Sequence, residues 1–232
     1  MKTVIMQPYL FPYLGYWQMI ASADFFVLFD DVNFIKRGWI NRNNILLNGA
    51  AHLFTLPLIE ATQNKLINEI SVTHEHKEKQ KILKTIESAY KKAQHFDEVF
   101  PLLNDVFMYE HHDLKRFLMH QFEVVFSFLD IKTKLLCSSN IEKDNTLKAQ
   151  DKIIDICHRL NTTHYINAIG GRELYDKELF AQEHMKLSFI KMRDIRYTQF
   201  KNEFVPYLSI IDVLMFNERE HVKQLLLEYD LV

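Results

Sequence analysis

The residues best suited to chemistry in this 232-residue chain fall in two blocks near its amino end. Asp30-Asp31-Val32-Asn33-Phe34-Ile35-Lys36-Arg37-Gly38-Trp39-Ile40-Asn41-Arg42-Asn43 holds two acids, three bases, three amides and a Trp. Arg37 and Arg42 can grip a carboxylate or phosphate with paired N–H donors, Lys36 adds a point charge, and Asn41 and Asn43 offer hydrogen bonds of fixed geometry. Asp30 or Asp31 can act as a general base or bind a divalent ion, because a carboxylate beside cations is readily held ionised. The plainer reading of any one of these residues is a surface salt-bridge network.

The other block is Gln7-Pro8-Tyr9-Leu10-Phe11-Pro12-Tyr13-Leu14-Gly15-Tyr16. Its prolines and glycine restrict the backbone, and a helix starting near Tyr13 would turn free N–H groups toward anything bound there. Tyr9, Tyr13 and Tyr16 can line a ligand or simply cap the sheet as a hydrophobic lid. Gln7 argues for the ligand, since an amide at a strand end must find polar partners. Gly170-Gly171-Arg172 offers permissive backbone and a cation further on, although an ordinary turn explains it as well. Tyr197 and Gln199 are candidates for a side wall.

These residues need elements to place them. Thr3 to Met6 and Phe25 to Phe29 read as strands around a helical Leu14 to Ala23, a β-α-β opening. A loop from Asp30 through Asn44 precedes a hairpin, Ile45 to Leu47 and His52 to Leu58, turning at Asn48-Gly49. The period becomes helical from Lys77 to Ile131, enough for three helices, so residues 70–131 read as a helical insertion. After it come a strand at Lys134 to Cys137, a helix at Leu147 to Leu160, a strand at His164 to Ile169, a short helix at Tyr175 to Gln182 and a strand at Lys186 to Lys191. Alternation of this kind predicts a parallel sheet. Helices over Leu208 to Phe216 and Glu218 to Tyr229 close the chain, the first with Ser209 and Asp212 in a capping-box spacing. The expectation is a single α/β domain over 1–232 with a mostly parallel sheet, a Rossmann-like opening, and its site where strands end.

Composition removes several classes. The net charge is −2, so no global field draws the chain to nucleic acid or anionic lipid. No apolar run approaches the roughly 18 residues that span a bilayer, and Gln7, Pro8 and Pro12 interrupt any signal-peptide pattern, which predicts a soluble, cytoplasmic protein without membrane insertion. Cys137 and Cys157 read as buried free thiols. His74-Glu75-His76 and Tyr109-Glu110-His111-His112 invite a metal, but histidines two apart do not share a helix face, and no metal is expected. There is no GxSxG, Walker A or GxGxxG, and a triad enzyme is not expected.

Met6 to Tyr16, Phe29-Asp30-Asp31-Val32 and Lys36-Arg37-Gly38-Trp39-Ile40-Asn41-Arg42-Asn43 together resemble the WbqC-like protein family. Tyr165-Ile166-Asn167, Gly170-Gly171-Arg172, Tyr197-Thr198-Gln199 and Phe204 to Asn217 extend the resemblance across nearly the whole chain. It implies a bacterial cytoplasmic protein of surface-polysaccharide or O-antigen biosynthesis, with a transferase role in which glycine is the proposed group. A weaker resemblance is to HUP-type nucleotidyltransferases, whose His-x-Gly-His segment would correspond to Tyr13-Leu14-Gly15-Tyr16. Tyrosine cannot carry a proton near neutral pH as histidine does.

The leading expectation is transfer of an aminoacyl or acyl group, glycyl among them, to a sugar nucleotide or related precursor. Lys36, Arg37 and Arg42 would hold the anionic part, Asp30 or Asp31 would be the base, and Gln7 and Asn41 would orient the acceptor. An activated amino acid is the matching donor, and no cofactor is required. The alternatives are an ATP- and Mg2+-using nucleotidyl or adenylyl transferase, or a non-catalytic module that binds a sugar or partner.

Overall fold

The computed structural model describes residues 1–201 and 203–232. Strands β1 (Lys2–Met6) and β2 (Phe25–Leu28) flank helix α1 (Leu14–Ala21). The charged loop leads into the hairpin β3 (Arg42–Leu47) and β4 (Ala50–Thr55). Its turn residues Asn48 and Gly49 both have positive φ, 53° and 77°, the hand that matches strand twist in a two-residue hairpin. A short ribbon of β5 (Leu58–Ile59) and β6 (Ser71–Val72) precedes helices α2 (His76–Tyr90), α3 (Phe96–Phe107) and α4 (Leu114–Leu129). Asp113 caps α4 by accepting the Arg116 N–H at 2.9 Å, and Asp130 ends it in the left-handed region. The rest runs β7 (Lys134–Cys137), α5 (Ala149–Arg159), β8 (His164–Ala168), α6 (Lys177–Gln182), β9 (Lys186–Met192), α7 (Ile210–Phe216), α8 (Arg219–Leu225) and β10 (Tyr229–Leu231).

The six-stranded sheet has the order β10-β9-β8-β1-β2-β7, with every neighbouring pair parallel except β9 with β10. The chain winds outward from β1 through β2 to β7, then returns to β8 and β9 on the other side. This is a doubly wound sheet, and its direction reverses between β1 and β8. Alternate residues of each strand separate two apolar layers: Val4, Phe26, Leu28 and Ile166 pack with α1, α4 and α7, while Ile5, Val27, Tyr165 and Phe189 pack with α5 and α6. Trp17 is wholly buried in the first layer against Phe122 and Phe126, a burial worth roughly 2–3 kcal/mol. Helices α2 and α3 join that same layer through Tyr90, Val99 and Phe107.

Three local expectations are corrected. The helix over 218–229 stops at Leu225, and Tyr229–Leu231 forms the edge strand, with Tyr229 opposite Met192 and Leu231 opposite Ile190. Pairing with a distant edge overrode the local period there. The loop expected through Asn44 ends at Asn41, because Arg42 and Asn43 already pair with Thr55 and Phe54. At α7, Ser209 Oγ accepts the Ile211 N–H at 3.2 Å as expected of a cap, but Asp212 turns its carboxylate inward instead of completing a capping box.

Candidate functional site

All five parallel strands end at one edge of the sheet, so the loops after β1, β2, β7, β8 and β9 gather there. Two of the open regions along that edge bear on the candidate residues. One is an aromatic cleft between the loops after β1 and β9, and the other is a polar cavity between the loops after β2 and β7.

The loop after β1 is held in a conformation its residues would not adopt alone. Phe11 is buried with φ at 41°, a left-handed backbone that a bulky residue adopts only when its surroundings impose it. Three buried side chains do so. Gln121 Oε1 accepts its N–H at 2.8 Å, while Asn43 Nδ2 and Ser209 Oγ donate to its carbonyl at 2.8 and 2.7 Å. Asn43 Nδ2 also donates to the Leu10 carbonyl at 2.8 Å. Tyr16 is buried and donates its hydroxyl to the Gln7 carbonyl at 2.6 Å, so it braces the loop from behind.

Tyr9 and Tyr13 remain half-buried and face open space. Tyr13 joins two lobes of about 350 and 210 Å³. Pro12, Trp39 and Asn43 line the smaller lobe with Tyr9, and Met192, Arg193 and Tyr197 line the larger, while Tyr207 borders both. Burial, then the neighbouring tyrosine, raises both phenols above their ordinary value, so they are neutral O–H donors at neutral pH.

The charged loop divides its residues between scaffold and surface. Arg42 donates Nε to the Gly38 carbonyl at 3.0 Å and Nη2 to the Arg37 carbonyl, with its guanidinium 5.8 Å from the Trp39 ring centre. Asn41 Nδ2 donates to the Leu56 carbonyl at 2.9 Å. Lys36 and Arg37 are exposed at the tip, Arg37 with φ at 60°, and neither lines the cleft or the polar cavity.

Asp30 and Asp31 part company. Asp30 is fully buried and accepts the Ser139 N–H at 2.9 Å and hydroxyl at 2.5 Å, with Asn68 Nδ2 at 3.4 Å and Lys115 Nζ at 3.9 Å. It fastens the loop after β7. Asp31 Oδ2 instead receives Lys143 Nζ at 2.8 Å and Lys152 Nζ at 3.1 Å, at the edge of a cavity of about 690 Å³. Burial pushes the Asp31 carboxyl up, but the bonds from Lys143, Ser138 and Lys152 outweigh it, and the group lies below the ordinary carboxylate value. Asp31 Oδ1 and Ser138 Oγ are both buried, and neither has a close hydrogen-bond partner among the described residues, so the Ser138 hydroxyl acts on the carboxylate only through a longer contact. Lys143 is spent on Asp31 and the carbonyls of Ser138 and Ile141, whereas Lys152 bonds Asp31 Oδ2 and the Asp31 carbonyl and, 5.4 Å from the Phe29 ring centre, has one N–H without a hydrogen-bond partner among the described residues.

The carboxyl-terminal candidates are placed differently from one another. Tyr197 and Gln199 surround Asp212, whose Oδ2 accepts the Tyr197 hydroxyl at 2.7 Å and Gln199 Nε2 at 2.6 Å. Its Oδ1 accepts the Tyr90 hydroxyl at 2.8 Å, and Tyr90 in turn accepts the Leu46 N–H at 2.7 Å. Gly170, Gly171 and Arg172 form a 3-10 turn after β8 that borders neither open region, and Gly171 leaves room for the Asn167 side chain, which a Cβ would approach to 2.9 Å.

Ser138, Lys143, Lys152, Tyr207 and Asp212 were not picked out from sequence as site residues. Ser138 had the signal, since it follows a strand end, and an acid inside the apolar run of α7 was the mark of Asp212. The lysines and Tyr207 had none, because only the fold brings them to their partners.

Among the described residues, no three His, Cys, Asp or Glu side chains are grouped to hold a metal. His74 and His112 do meet, with ring centres 3.8 Å apart. No helix is long and apolar enough to cross a membrane.

These features define a doubly wound α/β protein with open regions at the carboxyl edge of its sheet. A model of the WbqC-like protein family matches residues 7–224, and the chain belongs to that family. It is also similar to an uncharacterized protein of Mycobacterium tuberculosis, at 26% identity over 93% of each chain. No solved structure matches it.

Proposed function

We propose that this protein transfers an aminoacyl or acyl group, glycyl being the smallest, to an amine or hydroxyl of a sugar nucleotide or related precursor in bacterial surface-polysaccharide biosynthesis. The observation that carries the reading is Asp31, an ionised carboxylate bordering an open polar cavity, with one oxygen on two lysines and the other buried without a close hydrogen-bond partner among the described residues. The Asp31 carboxylate, at the edge of the cavity, accepts a hydrogen bond from the acceptor. As the acceptor nitrogen or oxygen attacks the acyl carbonyl it becomes acidic, its proton passes to Asp31, and the bond to the donor's leaving group breaks. Lys152 uses its remaining N–H on the anionic part of the substrate, with Lys36 and Arg37 on the exposed loop tip as further cations. Asp30 is committed to Ser139, so Asp31 takes the role of base.

The test is incubation with an activated glycine and a panel of nucleotide-linked amino sugars, with products read by mass spectrometry. A product one glycyl residue heavier is expected, and Asp31→Asn abolishes it. Equal product from the variant removes the mechanism.

The doubly wound strand order favours ATP-dependent nucleotidyl transfer as a second reading. Calorimetric titration with ATP and Mg2+ separates the two, since only the second requires that heat.

A further inference from the structure

The aromatic cleft takes no part in the proton transfer above, yet its walls are built for a ligand. Tyr13 and Tyr207 cross at 72° with ring centres 6.4 Å apart. Crossed rings offer a ligand one face and one edge, not two parallel faces. A puckered pyranose fits such a corner, with C–H groups packed on one ring and edge hydroxyls near the phenol oxygens of the other. Tyr207 is 71% exposed with φ at 57°, so a bulky residue is held in the left-handed region with its ring against the opening and not in the core.

Charge narrows the ligand further. Among the described residues Arg193 is the one cation lining the cleft, and it is paired with Asp230 at 2.8 Å and Glu228 at 3.0 Å. Asp194 stands 3.4 Å from Arg196. Asn43 spends its amide on the Leu10 and Phe11 carbonyls and the Asn44 N–H. No lining cation is left over for a phosphate among the described residues. What remains is the exposed Trp39 ring and the hydroxyls of Tyr9, Tyr13 and Tyr207, a set suited to a neutral, polyhydroxylated ring.

We propose that this cleft is a saccharide subsite that takes an uncharged pyranose ring against Tyr13 and Tyr207, with Trp39 and Tyr9 lining its second lobe. The assignment deepens the transferase reading and rests on it for the identity of the sugar as part of the acceptor. The Leu10 N–H bonds to the Trp39 carbonyl at 2.9 Å, and Trp39 shares the loop after β2 with Asp31, so the subsite and the base lie on linked loops.

The chain has two tryptophans, of which Trp17 is 0% and Trp39 43% exposed, so acrylamide quenching of the emission reads Trp39. The full-length protein is titrated with the methyl glycosides of glucose, galactose, mannose and N-acetylglucosamine, and with uridine monophosphate. At least one glycoside is expected to protect Trp39, with Tyr207→Ala weakening its binding by about tenfold and Tyr207→Phe by less. Circular dichroism checks that both variants keep the fold. The proposal is overturned if no glycoside protects Trp39, if Tyr207→Ala binds as tightly as the parent, or if the nucleotide alone protects. The measurement involves no turnover, so its failure overturns the cleft assignment alone. Absence of product with glycoside binding intact overturns the transferase reading alone.

Discussion

Asp30 and Asp31 are neighbours in the chain with opposite commitments: Asp30 accepts both donors of Ser139, whereas Asp31 accepts two lysine ammonium groups on one oxygen and has no close hydrogen-bond partner for the other among the described residues. Both follow β2, which ends at Leu28, and there Asp30 turns to the junction with the β7 loop while Asp31 turns to the edge of the cavity. The first expectation concerns Asp30. Asp30→Ala leaves the Ser139 N–H and hydroxyl without their acceptor and Lys115 without a nearby carboxylate, which should cost about 3 kcal/mol. Urea unfolding followed by circular dichroism measures it, and a loss near zero would mean that Asp30 does not fasten this loop.

Asp31 should instead show itself through pH. Its folded carboxyl lies below the ordinary value, held there by Lys143, Ser138 and Lys152 against burial. The unfolded chain therefore binds the proton more readily. Asp31 contributes stability above the ordinary carboxylate value of about 3.9, and that contribution is lost as pH falls through the depressed folded value. Asp31→Asn should thus be less stable than the parent at pH 7 and should flatten the acid limb of the stability curve below about pH 4. Thermal melts from pH 2 to pH 7 decide this, and parallel curves for the two proteins would count against it.

The parts of the architecture that depend on local period were legible in sequence. Asn48-Gly49 marked its hairpin because few residues besides Gly and Asn accept positive φ there, and alternating strands and helices announced the parallel sheet. Tyr229–Leu231 was read as helix because its strand exists only by pairing with β9. The site was legible in half. Tyr9, Tyr13, Trp39 and Asn43 converge on one cleft as successive strand-end loops should, whereas the partners of Asp31 lie more than a hundred residues away, and nothing local marks a lysine as theirs. Arg42 shows the reverse difficulty: a cation amid polar residues reads as a ligand clamp until its backbone carbonyl partners are seen.

Asp212 offers the opposite pH behaviour. Burial pushes its carboxyl up, and the bonds from Tyr197, Tyr90 and Gln199 only partly offset it. Its contribution to stability is fully present below the ordinary carboxylate value and is lost as pH rises through the raised folded value. Asp212→Asn should therefore destabilise more at pH 4 than at pH 8, because the parent no longer buries a charge in acid. Asp212→Ala strands the Tyr90 and Tyr197 hydroxyls and Gln199 Nε2, at a cost of about 3 kcal/mol or more. Guanidinium unfolding at the two pH values is the measurement, and an Asn variant equally destabilised at both would refute the burial argument.

The last expectation returns to Phe11, whose left-handed backbone gives the Tyr9 to Tyr13 loop its shape. Asn43 Nδ2 ties both the Leu10 and Phe11 carbonyls, so Asn43→Ala removes two of the bonds on this segment at once. Each buried carbonyl left short of a donor costs about 1 kcal/mol or somewhat more, and Ser209 still serves the Phe11 carbonyl, so the total should be about 2 kcal/mol. The loss is survivable for a core of this size, and the backbone of Phe11 is then free to relax toward negative φ. Tyr9 and Tyr13 ride on that backbone, so the cleft should lose its shape before the protein loses its fold. Hydrogen exchange should show faster exchange of the Leu10 and Phe11 amides in the variant, with the amides of β1 and β2 unchanged. If the exchange rates rose equally across the sheet, Asn43 would be supporting the fold as a whole and not the loop that carries the tyrosines.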